Sequence, residues 1–129
     1  MMHDLINDAI VHIKNCERVG KGECRVRPAS KLLIDILRIF QREGYIGEFE
    51  LIEDGRGDSI RVELVRKINN CGVIHPRFPV KHSDFVGWEK RYLPARDFGI
   101  LVVTTPKGVM SHKDAKVQGT GGRLIAYIY

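Results

Sequence analysis

The sequence is poor in what disulfide-bonded, metal-binding and membrane proteins are built from. Its 129 residues hold three cysteines, Cys16, Cys24 and Cys71, with no C-x-x-C pair. An odd and unpaired set argues against a disulfide framework. His3, His12, His75, His82 and His112 are scattered without zinc-ligand spacing, so no metal is expected. No apolar run approaches the roughly 18 residues of a membrane span. Met1-Met2-His3-Asp4 carries an acid where a signal peptide carries basic residues, and no continuous apolar segment follows. A soluble, intracellular chain without membrane contact is the expectation. There is no internal repeat and no low-complexity segment.

Catalytic arrangements are missing too. Cys71 lies near His75 in sequence, but no third group orients the pair. Glu48, Glu50 and Glu53 read as the surface of a hairpin rather than as paired acid and base. The loop Thr104-Thr105-Pro106-Lys107-Gly108 places its lysine before its glycine, the reverse of a nucleotide-binding P-loop. The enzymatic alternative is a small hydrolase or nuclease using His112 or Cys71. The expectation is no enzyme, no catalytic residue and no cofactor.

Acidic residues are scarce in only one half. Residues 1–66 hold 11 Lys+Arg and 12 Asp+Glu, a net of −1, whereas residues 67–129 hold 10 Lys+Arg and 4 Asp+Glu, a net of +6. A one-sided basic half attracts polyanions and gains from the release of their counterions. A solvated basic surface remains the other reading of the same charges.

What is present is a legible run of elements. Leu5, Ile6, Ala9, Ile10 and Ile13 repeat at helical spacing from Asp4, the expected cap, to about Asn15. Cys24 to Arg27 alternates as a short strand. Ser30 caps a helix whose apolar face combines Leu33, Leu37 and Phe40 with Ile34 and Ile36, and Gly44 ends it. Tyr45–Glu53 and Ile60–Leu64 alternate on either side of the turn Asp54–Asp58, which makes a hairpin. In the second half, Val73-Ile74 and Phe78 suggest small strands. Ser83 to Phe85 starts a helical turn, whereas Glu89 to Leu93 looks extended. Ile100 to Val103 is a continuous apolar strand. Ser111-His112-Lys113-Asp114 opens a short helix that Gly119 to Gly122 stops, and Leu124–Tyr129 alternates as a last strand. The fold class is α+β: an N-terminal α-β-α-β-β domain, residues 1–66, packed against a mostly β C-terminal domain, residues 67–129, with one short helix.

Two glycine-bearing loops flank strands in the basic half, Thr104–Gly108 and Gly119–Arg123. If their strands are neighbours, both loops leave the sheet at one edge. Glycine lets a phosphate or sugar approach the backbone, and threonine hydroxyls suit phosphates, base edges and 2′-hydroxyls. An ordinary turn and a helix stop would look the same. Aromatic residues interleave with basic ones, Arg77 with Phe78, and Lys90 and Arg91 with Trp88 and Tyr92. That pattern serves either core packing or stacking on unpaired bases.

These residues also carry a family resemblance. Gly99 to Met110, followed by Ala115 and Gly119-Thr120-Gly121-Gly122, resembles the C-terminal signature of small-subunit ribosomal protein eight. Asp4-Leu5-Ile6 with Ile13-Lys14-Asn15 resembles that family's first helix. Pro28 to Leu32 with Glu43 to Ile46 resembles its second helix and the strand after it. Val73 to Phe78, through Trp88 to Pro94-Ala95-Arg96-Asp97, is similar to the archaeal and eukaryotic branch. The resemblance spans the chain and implies an rRNA-binding protein without enzymatic activity. It would bind the central domain of small-subunit rRNA and help assemble the platform, with neighbouring ribosomal proteins against it, in the cytoplasm.

The resemblance further implies that the loop at Thr104 to Gly108 enters the RNA beside the turn at Gly121-Gly122. Thr104, Thr105, Lys107, Gly108, Gly121, Gly122 and Arg123 are therefore the assigned rRNA-binding residues. Lys14, Ser30, Lys31, Arg77, Arg91 and Lys113 complete the set. Bacterial members read Ser-Thr-Ser where this chain has Thr104-Thr105-Pro106, so Pro106 lacks a hydroxyl and an N–H. They carry Glu where Arg123 stands, so Arg123 is expected on phosphate. The alternative from another class is a protein-interaction module that binds acidic partners through the basic half.

Overall fold

The computed structural model describes residues 5–95 and 97–129. Asp4, the expected cap of the first helix, and Arg96 lie outside the described residues. The chain divides into two compact units, one ending at Asn70 and the other running from Cys71 to Tyr129.

The first unit runs α1 (Leu5–Arg18), β1 (Glu23–Val26), α2 (Lys31–Arg42), β2 (Ile46–Ile52) and β3 (Ser59–Leu64). In α1 the helical repeat buries Ile6, Ala9, Ile10 and Ile13, and it continues through Cys16 past the expected end near Asn15. Ser30 caps α2 by accepting the Leu33 N–H, and Gly44 follows the helix at a φ of 84°, a left-handed position that glycine takes without strain. The three strands form an antiparallel sheet in the order β1-β3-β2. Arg61 on the central strand bonds Glu50 on one side at 2.8 Å and Glu23 on the other at 2.9 Å.

The second unit runs β4 (Cys71–Val73), β5 (Pro79–Val80), a 3-10 turn (His82–Asp84), α3 (Phe85–Tyr92), β6 (Ile100–Thr105), β7 (Gly108–Ser111), α4 (His112–Gln118) and β8 (Gly122–Ile128). Its sheet is antiparallel in the order β4-β8-β6-β7, and β5 also pairs with β8. Ile100 to Val103 are buried in a row, as a continuous apolar strand requires. Leu101, Val103 and Leu124 join Ile74, Val80, Phe85, Leu93, Met110 and Ala115 in one core cluster. Each of the larger side chains, Ala115 apart, contributes about 1.5–3 kcal/mol on burial, so the cluster outweighs any single polar contact at the surface.

Three expectations need correction here. The second unit has two helices and a 3-10 turn, not one short helix. Glu89 to Tyr92 is helical rather than extended, because Phe85, Trp88 and Tyr92 fall at helical spacing and pack on the core cluster. The last strand does not alternate: Leu124, Ile125 and Ala126 are all buried. A register shift between Val102 and Val103 in the β6–β8 ladder breaks the two-residue period there.

Candidate nucleic-acid interface

The loop Thr104 to Gly108 is the tip of a hairpin. Val102, Val103, Thr104 and Thr105 pair with Ser111, Met110, Val109 and Gly108, which leaves Pro106 and Lys107 as the turn. Proline holds φ near −65°, so the primed turns usual in two-residue hairpins are excluded. Gly108 absorbs the mismatch at a φ of 120°. Thr105 is only 9% exposed, and its hydroxyl is used inside the turn. Its Oγ1 donates to the Gly108 carbonyl at 2.8 Å and accepts the Lys107 N–H at 3.1 Å. Pro106, Lys107 and Gly108 project into solvent, and Thr104 is half-buried.

The second loop lies beside the first. Ser111 caps α4 by accepting the Asp114 N–H at 3.2 Å, and Gly119 ends the helix in a left-handed conformation at a φ of 65°. β8 then starts at Gly122, antiparallel to β6, with Arg123 opposite Thr104. On its other side Arg123 faces Pro79 and Gly122 faces Val80. Any Cβ on Gly122 would collide with the Thr104 carbonyl and come within 3.1 Å of the Thr105 Cα. A Cβ on Gly121 would collide with the Val80 carbonyl and come within 3.0 Å of the Lys81 Cα. The glycine pair is what lets three backbone segments meet at one sheet edge. Arg123 is exposed, and its Nη1 donates to the Arg77 carbonyl at 3.1 Å.

The third segment, Val80 to His82, was not assigned from sequence. It brings the exposed Lys81 to the same edge as Lys107 and Arg123. The usable signal was Gly121, whose missing side chain implies a close backbone neighbour. Lys113 is exposed on α4. In the first unit, Lys31 is exposed and Ser30 spends its hydroxyl on the α2 cap. Lys14 lines a cleft with Glu17, Arg18 and Arg66.

The residues considered for catalysis are placed otherwise. His112 is 3% exposed. Its Nδ1 accepts the Leu101 N–H at 3.0 Å and its Nε2 lies 3.1 Å from Glu89, which also binds Lys116. Burial pushes the imidazole pKa below its ordinary value, so the ring is neutral and carries its proton on Nε2. Cys71 is buried in β4.

An α+β chain whose glycine-formed loops gather Lys81, Lys107 and Arg123 at one sheet edge has the makings of an RNA-binding protein. The family model described as Ribosomal protein S8 matches residues 4–129, and the chain belongs to that family. It is accordingly a small-subunit ribosomal protein that binds rRNA, a constituent of a ribonucleoprotein and part of the translation apparatus. The family is a structural one and not an enzyme family. No helix among the described residues is long and apolar enough to cross a membrane.

Proposed function

We propose that this chain is a primary rRNA-binding protein of the cytoplasmic small subunit, of the archaeal and eukaryotic type. It docks on the central domain of the rRNA and helps assemble the platform. The observation that carries this reading is the glycine-dependent meeting of the Thr104–Gly108 hairpin tip, the Gly121–Arg123 strand start and the Val80–His82 segment. Lys107, Arg123 and Lys81 supply charge there for phosphates, while Thr104, Gly108 and the backbone around Gly121 and Gly122 meet the distorted RNA surface. Residues 67–129 carry this docking. Residues 1–66 act as scaffold, with Lys14 and Lys31 reaching an adjacent rRNA segment and neighbouring ribosomal proteins covering other surfaces. Arg77 borders the docking edge, and the exposed Lys113 on α4 adds positive charge to the same unit.

Titration of the full chain against a purified central-domain rRNA fragment, competed with an unrelated duplex, tests the reading. Strong preference for the fragment is expected. Equal affinity for both RNAs rejects specific docking, and preference for an acidic polypeptide assigns the basic half to protein partners. Lys107→Ala should weaken binding chiefly at low salt and flatten the plot of log K against log salt by about one unit. An unchanged slope removes Lys107 from the contact.

A further inference from the structure

The second unit carries a strip of aromatic rings that the loop site does not use. Phe78 lies 4.7 Å from Trp88, Trp88 lies 6.3 Å from Tyr92, Tyr92 lies 5.6 Å from Tyr127, and Tyr127 lies 6.2 Å from Tyr129, all between ring centroids. The last three pairs are nearly parallel, with interplanar angles of 13°, 28° and 20°. All five side chains are half-buried and pack against the edge of the core cluster. Tyr127 lies so close over Gly72 that a Cβ there would come within 2.8 Å of its hydroxyl.

Arg91 closes the strip from outside. Its guanidinium lies 5.3 Å from the Trp88 ring centroid, 5.5 Å from that of Phe78 and 5.8 Å from that of Tyr92. Arg91 is exposed and has no carboxylate partner among the described residues. On the opposite side of α3, Glu89 is engaged by His112 and Lys116. The strip also joins the loop site directly. The Phe78 carbonyl accepts the Leu124 N–H at 3.0 Å, and the preceding carbonyl, that of Arg77, accepts from Arg123.

We infer that this strip is a second RNA subsite, where an unpaired nucleotide leading off the docked helix stacks on the Arg91–Trp88–Tyr92 surface. Parallel rings and a guanidinium plane offer π-faces that any base can match, and an unneutralised arginine suits the phosphate that accompanies the base. The charge of Arg91 suits an acidic peptide as well as RNA, but the row of parallel rings favours a planar partner. The inference rests on the loop site binding RNA, because continuity with that site is what orients the strand.

Trp88 is the single tryptophan of the chain, so its fluorescence reports on the strip alone. The full chain is titrated with an eight-nucleotide oligoadenylate, and separately with an abasic RNA of equal length. The intact oligonucleotide is expected to quench Trp88 strongly and the abasic one little. Arg91→Gln, at an exposed position, should weaken the quenching titration roughly tenfold. Lys107→Ala should lower affinity for the central-domain fragment and leave oligoadenylate quenching in place, which separates failure of the strip from failure of the loop. Absence of quenching, equal quenching by abasic RNA, or quenching indifferent to Arg91→Gln overturns the inference. So does quenching by an acidic proline-rich peptide without quenching by RNA, which makes the strip a protein-docking surface.

Discussion

At the scale of single residues, two buried polar side chains carry consequences that exposed ones do not. Thr105 had every mark of a contact residue in the sequence, being a hydroxyl in a polar loop of a basic half. Its burial gives the hydroxyl to the hairpin turn instead. A direct contact and a turn-builder separate on mutation. Thr105→Val keeps the shape but removes the hydroxyl bridge between the Lys107 N–H and the Gly108 carbonyl, so stability should fall by about 0.5–1.5 kcal/mol together with rRNA affinity. Affinity lost with an unchanged denaturation midpoint would mean that Thr105 touches RNA directly. His112 makes the second case. Its pKa is depressed by burial, so the unfolded chain takes up a proton that the folded chain refuses. The stability from this group is fully present above the ordinary histidine value of 6.5 and is lost as pH falls below it toward the folded value. Lys116 and Lys113 push in the same direction as burial, and Glu89 opposes them. His112→Asn can keep an acceptor for the Leu101 N–H but cannot titrate. Between pH 7.5 and 5.5, urea midpoints should fall more steeply for the natural chain than for the variant. Parallel slopes would remove His112 from the pH dependence.

At the scale of elements, legibility followed the strength of the local signal. α2 was readable because a cap, an apolar face and a terminating glycine agree within residues 30–44, and α4 because Ser111 and Gly119 bracket it. β7 was hidden. Its turn is Pro-Lys rather than Asn-Gly, and its four residues merge into the cap of α4. α3 was half-read, because Gly87 and the aromatic residues around it weaken the helical signal that packing on the core restores. Ser111 serves as both the last residue of β7 and the cap of α4, so Ser111→Ala should cost about 1 kcal/mol in thermal or chemical denaturation. A neutral result would mean that the β7 pairing, and not the cap, fixes the start of α4.

At the scale of the whole molecule, the charge division was visible in composition, while the convergence of segments was not. Sequence placed Thr104–Gly108 and Gly119–Arg123 beside strands. Only the pairing of β5, β6 and β8 brings Val80 to His82 to them, and pairing partners far apart in sequence leave no local mark. The net +6 of residues 67–129, from 10 Lys+Arg against 4 Asp+Glu, should make rRNA binding fall steeply with salt. Stacking on the aromatic strip should be much less sensitive. A salt titration of the rRNA fragment against one of oligoadenylate checks this, and equal slopes would leave electrostatics as the sole attraction at both places.

The Gly121-Gly122 doublet has a further consequence, for how the chain finds its pairing. A strand that slips by one residue turns its side chains to the opposite faces, and apolar patterning normally disfavours this by energy alone. In β8 a slip one way would bring Arg123 to the place where no Cβ fits against the Thr104 carbonyl, and a slip the other way would bring Thr120 to the place where none fits against the Val80 carbonyl. The wrong alignment is therefore barred by volume, not merely outcompeted. The doublet works as a gauge block: the sheet can close only at the setting that also assembles the RNA-facing edge, so a chain that has folded has already aligned it.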